Sequence, residues 1–117
     1  MADFEFDFEK LKVYQKSLDF IDKTFEIYRG LSQDYKISIG SNWIRAVLSI
    51  ANNIAEGNDK DSDKERTRYL GISSDSAREC VSVLNVLKRQ NLISEEKYQP
   101  LRLDAREITS MLRGLRK

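Results

Sequence analysis

Residues 8–31 read FEKLKVYQKSLDFIDKTFEIYRGL, and the apolar side chains of this segment recur at alternating steps of three and four. Such spacing places them on one face of an α-helix. It predicts a first helix over residues 8–31, which Asp7 caps and Gly30 helps to end. The predicted core face of this helix consists of Leu11, Tyr14, Leu18, Ile21, Phe25 and Tyr28.

Three more amphipathic helices follow, at about residues 41–56, 62–91 and 95–116. Residues 32–40 lack a sustained period and predict a connecting loop. The predicted core on the later helices includes Leu48, Ala77, Leu84, Ile108 and Leu112.

The helix ends carry further signals. Gly57 predicts the carboxyl cap of the second helix, and Ser62 with Glu65 has the spacing of a capping box for the third. Pro100 lies inside the fourth helix, where it predicts either a kink or a start nearer Gln99.

Four amphipathic helices joined by short connections predict an all-α fold. The expected architecture is an antiparallel up-down-up-down four-helix bundle with a left-handed twist. A chain of 117 residues is long enough for one core, so a single domain over residues 1–117 is expected.

The composition argues against several classes of function. The chain has 20 Lys and Arg against 19 Asp and Glu, which leaves no global field to attract a polyanion. It has no histidine, the commonest general base and metal ligand. Its single cysteine and the absence of a long apolar run favour a reducing, cytoplasmic setting without a membrane. We therefore predict a non-enzymatic protein with no cofactor and no small-molecule substrate.

Two features resemble functional sites, a calcium-binding loop and a reactive cysteine, but neither has the residues that such a site requires. The acidic run that begins at Asp59 resembles a calcium loop, but Lys64 occupies the position that needs glycine and Leu70 the position that needs glutamate. Cys80 lies at the edge of an apolar helix face and is predicted to be a small buried hydrophobe instead of a nucleophile.

A second apolar set lies opposite the predicted core face of the first helix, at Val13, Phe20 and Ile27. If these side chains face outward, a closed ring of identical subunits would bury them. The alternative is that the fourth helix or the amino-terminal arm covers them within one chain. The third helix adds the outward-facing interface candidates Ile72, Val83 and Val86.

A polar stripe runs along the second helix beside its buried face. It suits either a recognition surface or a network between helices that fixes their packing. Its members are Arg45, Ser49, Asn52, Asn53 and Glu56.

The fourth helix carries a basic stripe that is a candidate nucleic-acid-binding surface. Residues 62–117 hold 12 Lys and Arg against 8 Asp and Glu, whereas residues 1–61 hold 8 against 11. The stripe would bind phosphates, or it is a solvated face whose cations suit a helix carboxyl end. It consists of Arg102, Arg106, Arg113 and Lys117.

Three segments together resemble one known family. Residues 49–57 read SIANNIAEG, residues 11–16 read LKVYQK, and residues 68–70 read RYL with Ser76 and Glu79 following. These segments are similar to the signature of the four-helix-bundle family named for proteins encoded in intervening sequences of large-subunit ribosomal RNA genes. Carried over by position, the family's polar signature residues are Arg45, Ser49, Asn53, Glu56, Ser76 and Glu79.

The resemblance implies a bacterial protein that forms closed homo-oligomers, notably pentamers. One branch of the family consists of accessory proteins of diversity-generating retroelements, which bind nucleic acid, but that branch is strongly basic. At a net charge of +1, the chain resembles the general family instead. The predicted function is binding of structured RNA, ribosomal RNA included, or other nucleic acid through a basic surface. The alternative is a protein-interaction scaffold with no nucleic-acid role.

Overall fold

Four long helices account for most of residues 4–116, the part of the chain that the computed structural model describes. They are α1 (Lys12–Arg29), α2 (Ser41–Asn58), α3 (Asp63–Arg89) and α4 (Glu95–Leu115). The described residues contain no β-strand. The fold is therefore all-α, with the four helices that the periodicity predicts.

Each long helix packs against two others. Helix α1 lies against α2 and α4, and α3 lies against the same two helices. The apolar sides of all four helices contribute to one core cluster, in which Trp43 is the largest side chain and is fully buried. No helix among the described residues has the length and apolar character that crossing a membrane requires.

The buried face of α1 differs from the predicted one. Val13, Phe20 and Ile27 lie in the core cluster, while Leu18 and Phe25 on the predicted core face are only half-buried. The prediction that Val13, Phe20 and Ile27 face outward as interface residues was therefore wrong, and the alternative that the chain itself covers them holds. Ile72 and Val86 are exposed, and Val83 is half-buried against the core.

Two hydroxyl groups explain this difference on α1. Ser17 and Thr24 lie between the core residues and are fully buried. The Ser17 hydroxyl donates to the Tyr14 carbonyl at 2.6 Å, and the Thr24 hydroxyl donates to the Phe20 carbonyl at 2.9 Å. Because the helix's own backbone satisfies both groups, burying them carries little penalty. A count of apolar residues alone cannot recognise this mixed face as the core.

The later helices follow the predicted core more closely. Ala77, Leu84, Ile108 and Leu112 are fully buried, as predicted. Leu48 is 40% exposed, which corrects its assignment to the core. The buried face of α2 is rotated away from it and consists of Trp43, Ala46, Val47, Ile50, Ala51, Ile54 and Gly57.

The predicted loop at residues 32–40 is helical. One turn at Gln33–Tyr35 continues as a π-helix over Lys36–Gly40 and runs directly into α2. The hydroxyls of Ser38 and Ser41 donate to carbonyls four residues earlier, so these polar residues are absorbed into the helix. A Cβ at Gly40 would lie 2.6 Å from a ring carbon of Tyr28, so the close contact with α1 requires glycine.

Gly57, Pro100 and the start of the first helix also differ from their predicted roles. Gly57 lies inside α2, where a Cβ would be 2.9 Å from the Tyr69 Cβ, so its role is close contact with α3 and not capping. Helix α4 begins at Glu95 and continues through Pro100. At the amino terminus, Asp7–Lys10 form a separate 3-10 turn, and α1 begins only at Lys12.

Candidate nucleic-acid interface

A groove of about 390 Å³ runs between the exposed sides of α3 and α4. Its floor is apolar and small, because Ala77 and Ala105 are fully buried there and Val81 is half-buried. Its remaining lining residues are Arg78, Ser82, Asn85, Arg102, Arg106 and Thr109. None of the lining residues is acidic, so the groove presents positive charge over an apolar floor.

Arginines line both walls of this groove. Arg102 and Arg106 lie one turn apart on α4, and Arg78 comes from α3. All three are exposed. Within residues 4–116, none of them forms an ion pair with a carboxylate. Their charges are therefore available to an anionic ligand.

The predicted basic stripe continues beyond the groove. Arg113 is exposed on α4 about two turns beyond Arg106, and the Arg116 guanidinium lies near Gly71 of α3. Lys117, the last predicted member, lies outside the described residues. We use the name basic face for Arg78, Arg102, Arg106, Arg113 and Arg116.

Hydrogen bonds and ring contacts hold the groove together. The Tyr98 hydroxyl on α4 donates to Oδ1 of Asn85 on α3 at 2.7 Å, which ties the two walls to each other. The Arg102 guanidinium lies over the Tyr98 ring, 5.5 Å from its centroid. The Thr109 hydroxyl donates to the Arg106 carbonyl at 2.9 Å. The polar lining is thus partly fixed before any ligand arrives.

The opposite side of α4 has a different electrostatic character. Asp104 is buried. Its carboxylate forms ion pairs with the amines of Lys16 at 3.0 Å and Lys23 at 2.7 Å, both from α1. Lys16 also pairs with Glu107 at 3.0 Å. Hydrogen bonds to Glu107 and Asp104 raise the pKa of Lys16 above its ordinary value. We call this group of four residues the paired edge.

Three of the signature residues form a network between α2 and α3. The Asn53 side-chain amide donates to the Ser49 carbonyl at 2.8 Å and to the Ser49 hydroxyl at 3.0 Å. The Ser76 hydroxyl donates to the same Ser49 hydroxyl at 2.8 Å. Beside it, the Ser73 hydroxyl donates to the Ile50 carbonyl at 2.8 Å. This geometry matches the packing network, one of the two interpretations of the polar stripe.

The remaining signature residues do not join that network. Glu56 pairs with Lys60 at 3.5 Å, and Glu79 accepts a hydrogen bond from Asn42 at 3.4 Å. Arg45 is exposed on α2. The six signature positions therefore follow the α2 and α3 surfaces without converging on one pocket.

The predicted basic stripe did not include Arg78 of α3, which lines the groove. The sequence of α3 does contain a polar face that could have indicated this residue. Its members recur at steps of four and three, at Arg78, Ser82, Asn85 and Arg89. What the chain order could not show is that this face lies beside the arginines of α4. Tertiary contact brings the two arginine sets to one groove.

Cys80 is fully buried, and its pKa is raised to about 12, chiefly by burial and secondarily by the charge of Glu79. A thiol with such a pKa stays protonated near neutral pH, so it is not an activated nucleophile.

Two comparisons with known proteins identify relatives. The family model described as 23S rRNA-intervening sequence protein matches residues 9–114, which confirms the resemblance in the sequence. A crystal structure from Bacteroides thetaiotaomicron, of a protein with unknown function from the S23 ribosomal protein family, is 28% identical. It superposes with a TM-score of 0.82 over 89% of this chain and 94% of that one. A search of curated proteins found no match. Neither matching description names a catalytic activity.

Proposed function

The chain belongs to the 23S rRNA-intervening sequence protein family, and from this premise we propose that it is a non-enzymatic RNA-binding protein. The proposed ligand is structured RNA, ribosomal RNA included, and the proposed surface is the basic face. A ribosomal RNA ligand implies a cytoplasmic location.

One observation carries the proposal: arginines from two helices surround a groove that has no carboxylate in its lining. Arginine pairs with phosphate through two parallel hydrogen bonds, which suits a polyanionic backbone. With a net charge of +1, the whole chain does not attract RNA, so this local concentration of charge must do so. Binding should be salt-sensitive and poor in sequence specificity because the contacts are made to phosphates.

The proposed scaffold is an up-down-up-down, left-handed bundle that assembles into a closed homo-oligomer, with a pentamer expected from the family resemblance. The apolar surface of α1 and α2 supports self-association. Leu48 on α2 is 40% exposed, and Leu18, Ile21 and Phe25 on the neighbouring α1 are only half-buried. A second copy would remove these side chains from water. A ring would also repeat the basic face, so that several modest sites bind one RNA with avidity.

Light scattering of the full chain tests the assembly. Leu48→Glu should reduce the mass to that of a monomer, whereas Leu103→Glu, at a 56% exposed site on α4, should leave the oligomer intact. A monomeric wild type at micromolar concentration would contradict the proposed ring.

A protein-interaction scaffold is the second candidate. It is favoured by the near-neutral total charge and by exposed apolar side chains away from the α1–α2 surface, such as Ile72, Val86 and Leu103.

RNA binding across a salt series separates the two candidates. The test variant combines Arg102→Glu with Arg106→Glu, and the matched control combines Lys10→Glu with Lys12→Glu, which changes the net charge equally at exposed sites near α1. Only the arginine variant should lose binding and flatten the dependence of log affinity on log salt. If the wild type binds no RNA even at low salt, the scaffold function replaces the proposal.

A further inference from the structure

We infer that the groove between α3 and α4 accepts one unpaired nucleotide of the RNA. Its base would lie on the groove floor against Val81, and its flanking phosphates would pair with the arginines of the two walls. This inference rests on the proposed function and specifies which part of an RNA the basic face selects.

The floor has the size and chemistry of a small-ligand site. Ala77 and Ala105 are fully buried beneath the groove, where larger side chains would fill the space, and the half-buried Val81 gives the floor its accessible apolar surface. The resulting groove of about 390 Å³ falls within the range of ligand pockets, roughly 300–1,000 Å³. A flat aromatic base can cover this apolar floor, whereas a bare inorganic anion gains nothing from it.

The walls supply groups that serve both parts of a nucleotide. Guanidinium groups pair with phosphates in their plane and stack on bases through their faces. Arg102 already makes a cation–π contact, since its guanidinium carbon lies 5.5 Å from the centroid of the Tyr98 ring. Arg78 lines the same groove from α3, so phosphates on both sides of one nucleotide would meet cations.

The neutral lining residues complement a base edge. Tyr98 donates to Oδ1 of Asn85, which leaves the Asn85 amide protons free as donors. The Thr109 hydroxyl donates to the Arg106 carbonyl, which leaves its oxygen as an acceptor. The Ser82 hydroxyl can donate or accept. A phosphate needs donors only, but a base edge needs both kinds of group, so a nucleotide uses the whole lining.

An unpaired nucleotide fits this arrangement better than a duplex does. Bases of a continuous A-form helix are stacked inside it, and their major-groove edges are out of reach. A bulged nucleotide can be turned outward into a concave site without breaking a pair. We therefore expect a preference for RNA that contains a bulge or loop over fully paired RNA.

Two RNA hairpins that differ only by a single bulged nucleotide test this inference. Wild type should bind the bulged hairpin about tenfold more tightly at equal salt, in keeping with the stacking of one base. Ser82→Trp fills the groove without changing its charge and should reduce the ratio of the two hairpin affinities to about one. Ser110→Trp is the matched control, because Ser110 is exposed on α4 outside the groove. It should keep the preference.

A fluorescent adenine analogue at the bulge gives a second measurement that does not depend on a variant. Its emission should change when wild type binds, because the base becomes stacked in the groove. Equal affinity of wild type for both hairpins, an unchanged emission, or a preference that survives in Ser82→Trp would overturn this inference while the proposed function stands. Failure of wild type to bind either hairpin at low salt would overturn the proposed function itself.

Discussion

Helix α4 has two charged sides with opposite roles, the paired edge toward α1 and the basic face toward α3. On the paired edge, Lys16 and Lys23 converge on the buried Asp104. On the basic face, Arg102 and Arg106 have no carboxylate partner among residues 4–116. Both sides are rich in cations. What separates a structural charge from one available to a ligand is therefore the presence of a nearby carboxylate.

Burial explains why ion pairs are needed on the paired edge and not on the basic face. A carboxylate as buried as Asp104 is costly unless cations and hydrogen bonds compensate it, and two lysines do so. The exposed arginines are hydrated and need no such compensation. Substitutions on the paired edge should therefore change stability, and those on the basic face should change RNA affinity.

The largest expected effect lies in the core beneath the paired edge. Phe20 is fully buried and sits on α1 between Lys16 and Lys23. Phe20→Ala should lower the free energy of unfolding by about 3–5 kcal/mol, because it removes a large apolar side chain and leaves a cavity. Urea denaturation measures this loss.

Phe25→Ala is the control for that experiment, since Phe25 is half-buried on the other face of α1. It should cost clearly less. If the two substitutions cost the same, the assignment of the core face of α1 to Val13, Phe20 and Ile27 is incorrect.

That assignment also shows where sequence reasoning succeeds and fails. Periodicity locates the four long helices because each helix must bury one side. On α1 it predicted the wrong buried face, because Ser17 and Thr24 on the true buried face are polar residues. Their hydroxyls donate to carbonyls of their own helix. The loop prediction at residues 32–40 failed for a related reason, because the exposed Ser38 and Ser41 also donate to carbonyls of their own helix. A polarity pattern therefore misjudges hydroxyl residues that bond to the backbone of their own helix.

The candidate site was predictable only in part. Arg102, Arg106 and Arg113 share one face of a single helix, so their spacing along the sequence shows the stripe. Arg78 and the alanine floor join them through the packing of α3 on α4, which no local pattern contains. The groove is therefore a product of tertiary structure, and the stripe alone could not distinguish a binding site from a solvated face.

The second prediction compares neutralisation on the two sides of α4. Asp104→Asn removes the charge that holds both lysines and should lower the free energy of unfolding by about 1–3 kcal/mol. Arg106→Gln, at an exposed site without an ion pair among the described residues, should change it by no more than about 0.5 kcal/mol. Thermal and urea unfolding would both report the difference. A loss for Arg106→Gln as large as that for Asp104→Asn would abolish the distinction between the two sides.

The third prediction concerns the salt dependence of RNA binding. Arg106→Gln should reduce the slope of log affinity against log salt by about 0.7–0.9, the contribution of one phosphate contact. Lys23→Gln should leave that slope unchanged, because Lys23 belongs to the paired edge. Filter binding or fluorescence anisotropy at several salt concentrations gives the slopes. A reduced slope for Lys23→Gln would place the paired edge in the RNA-binding surface.

The smallest expected effect is a dependence of stability on alkaline pH that belongs to Lys16. Hydrogen bonds to Glu107 and Asp104 raise its pKa in the folded protein above the ordinary value of 10.5. Below 10.5 the amine is protonated in both states, and its contribution to stability is fully present. As the pH rises through the raised pKa, the unfolded chain has already lost this proton, so the contribution disappears. Urea unfolding of wild type between about pH 10 and pH 12 should therefore show a steeper loss of stability than unfolding of Lys16→Gln. Lys12→Gln, at an exposed site on the same helix, should follow wild type. If Lys16→Gln lost as much stability at alkaline pH as wild type does, the pH dependence would come from other groups. The prediction that Lys16 causes it would then be wrong.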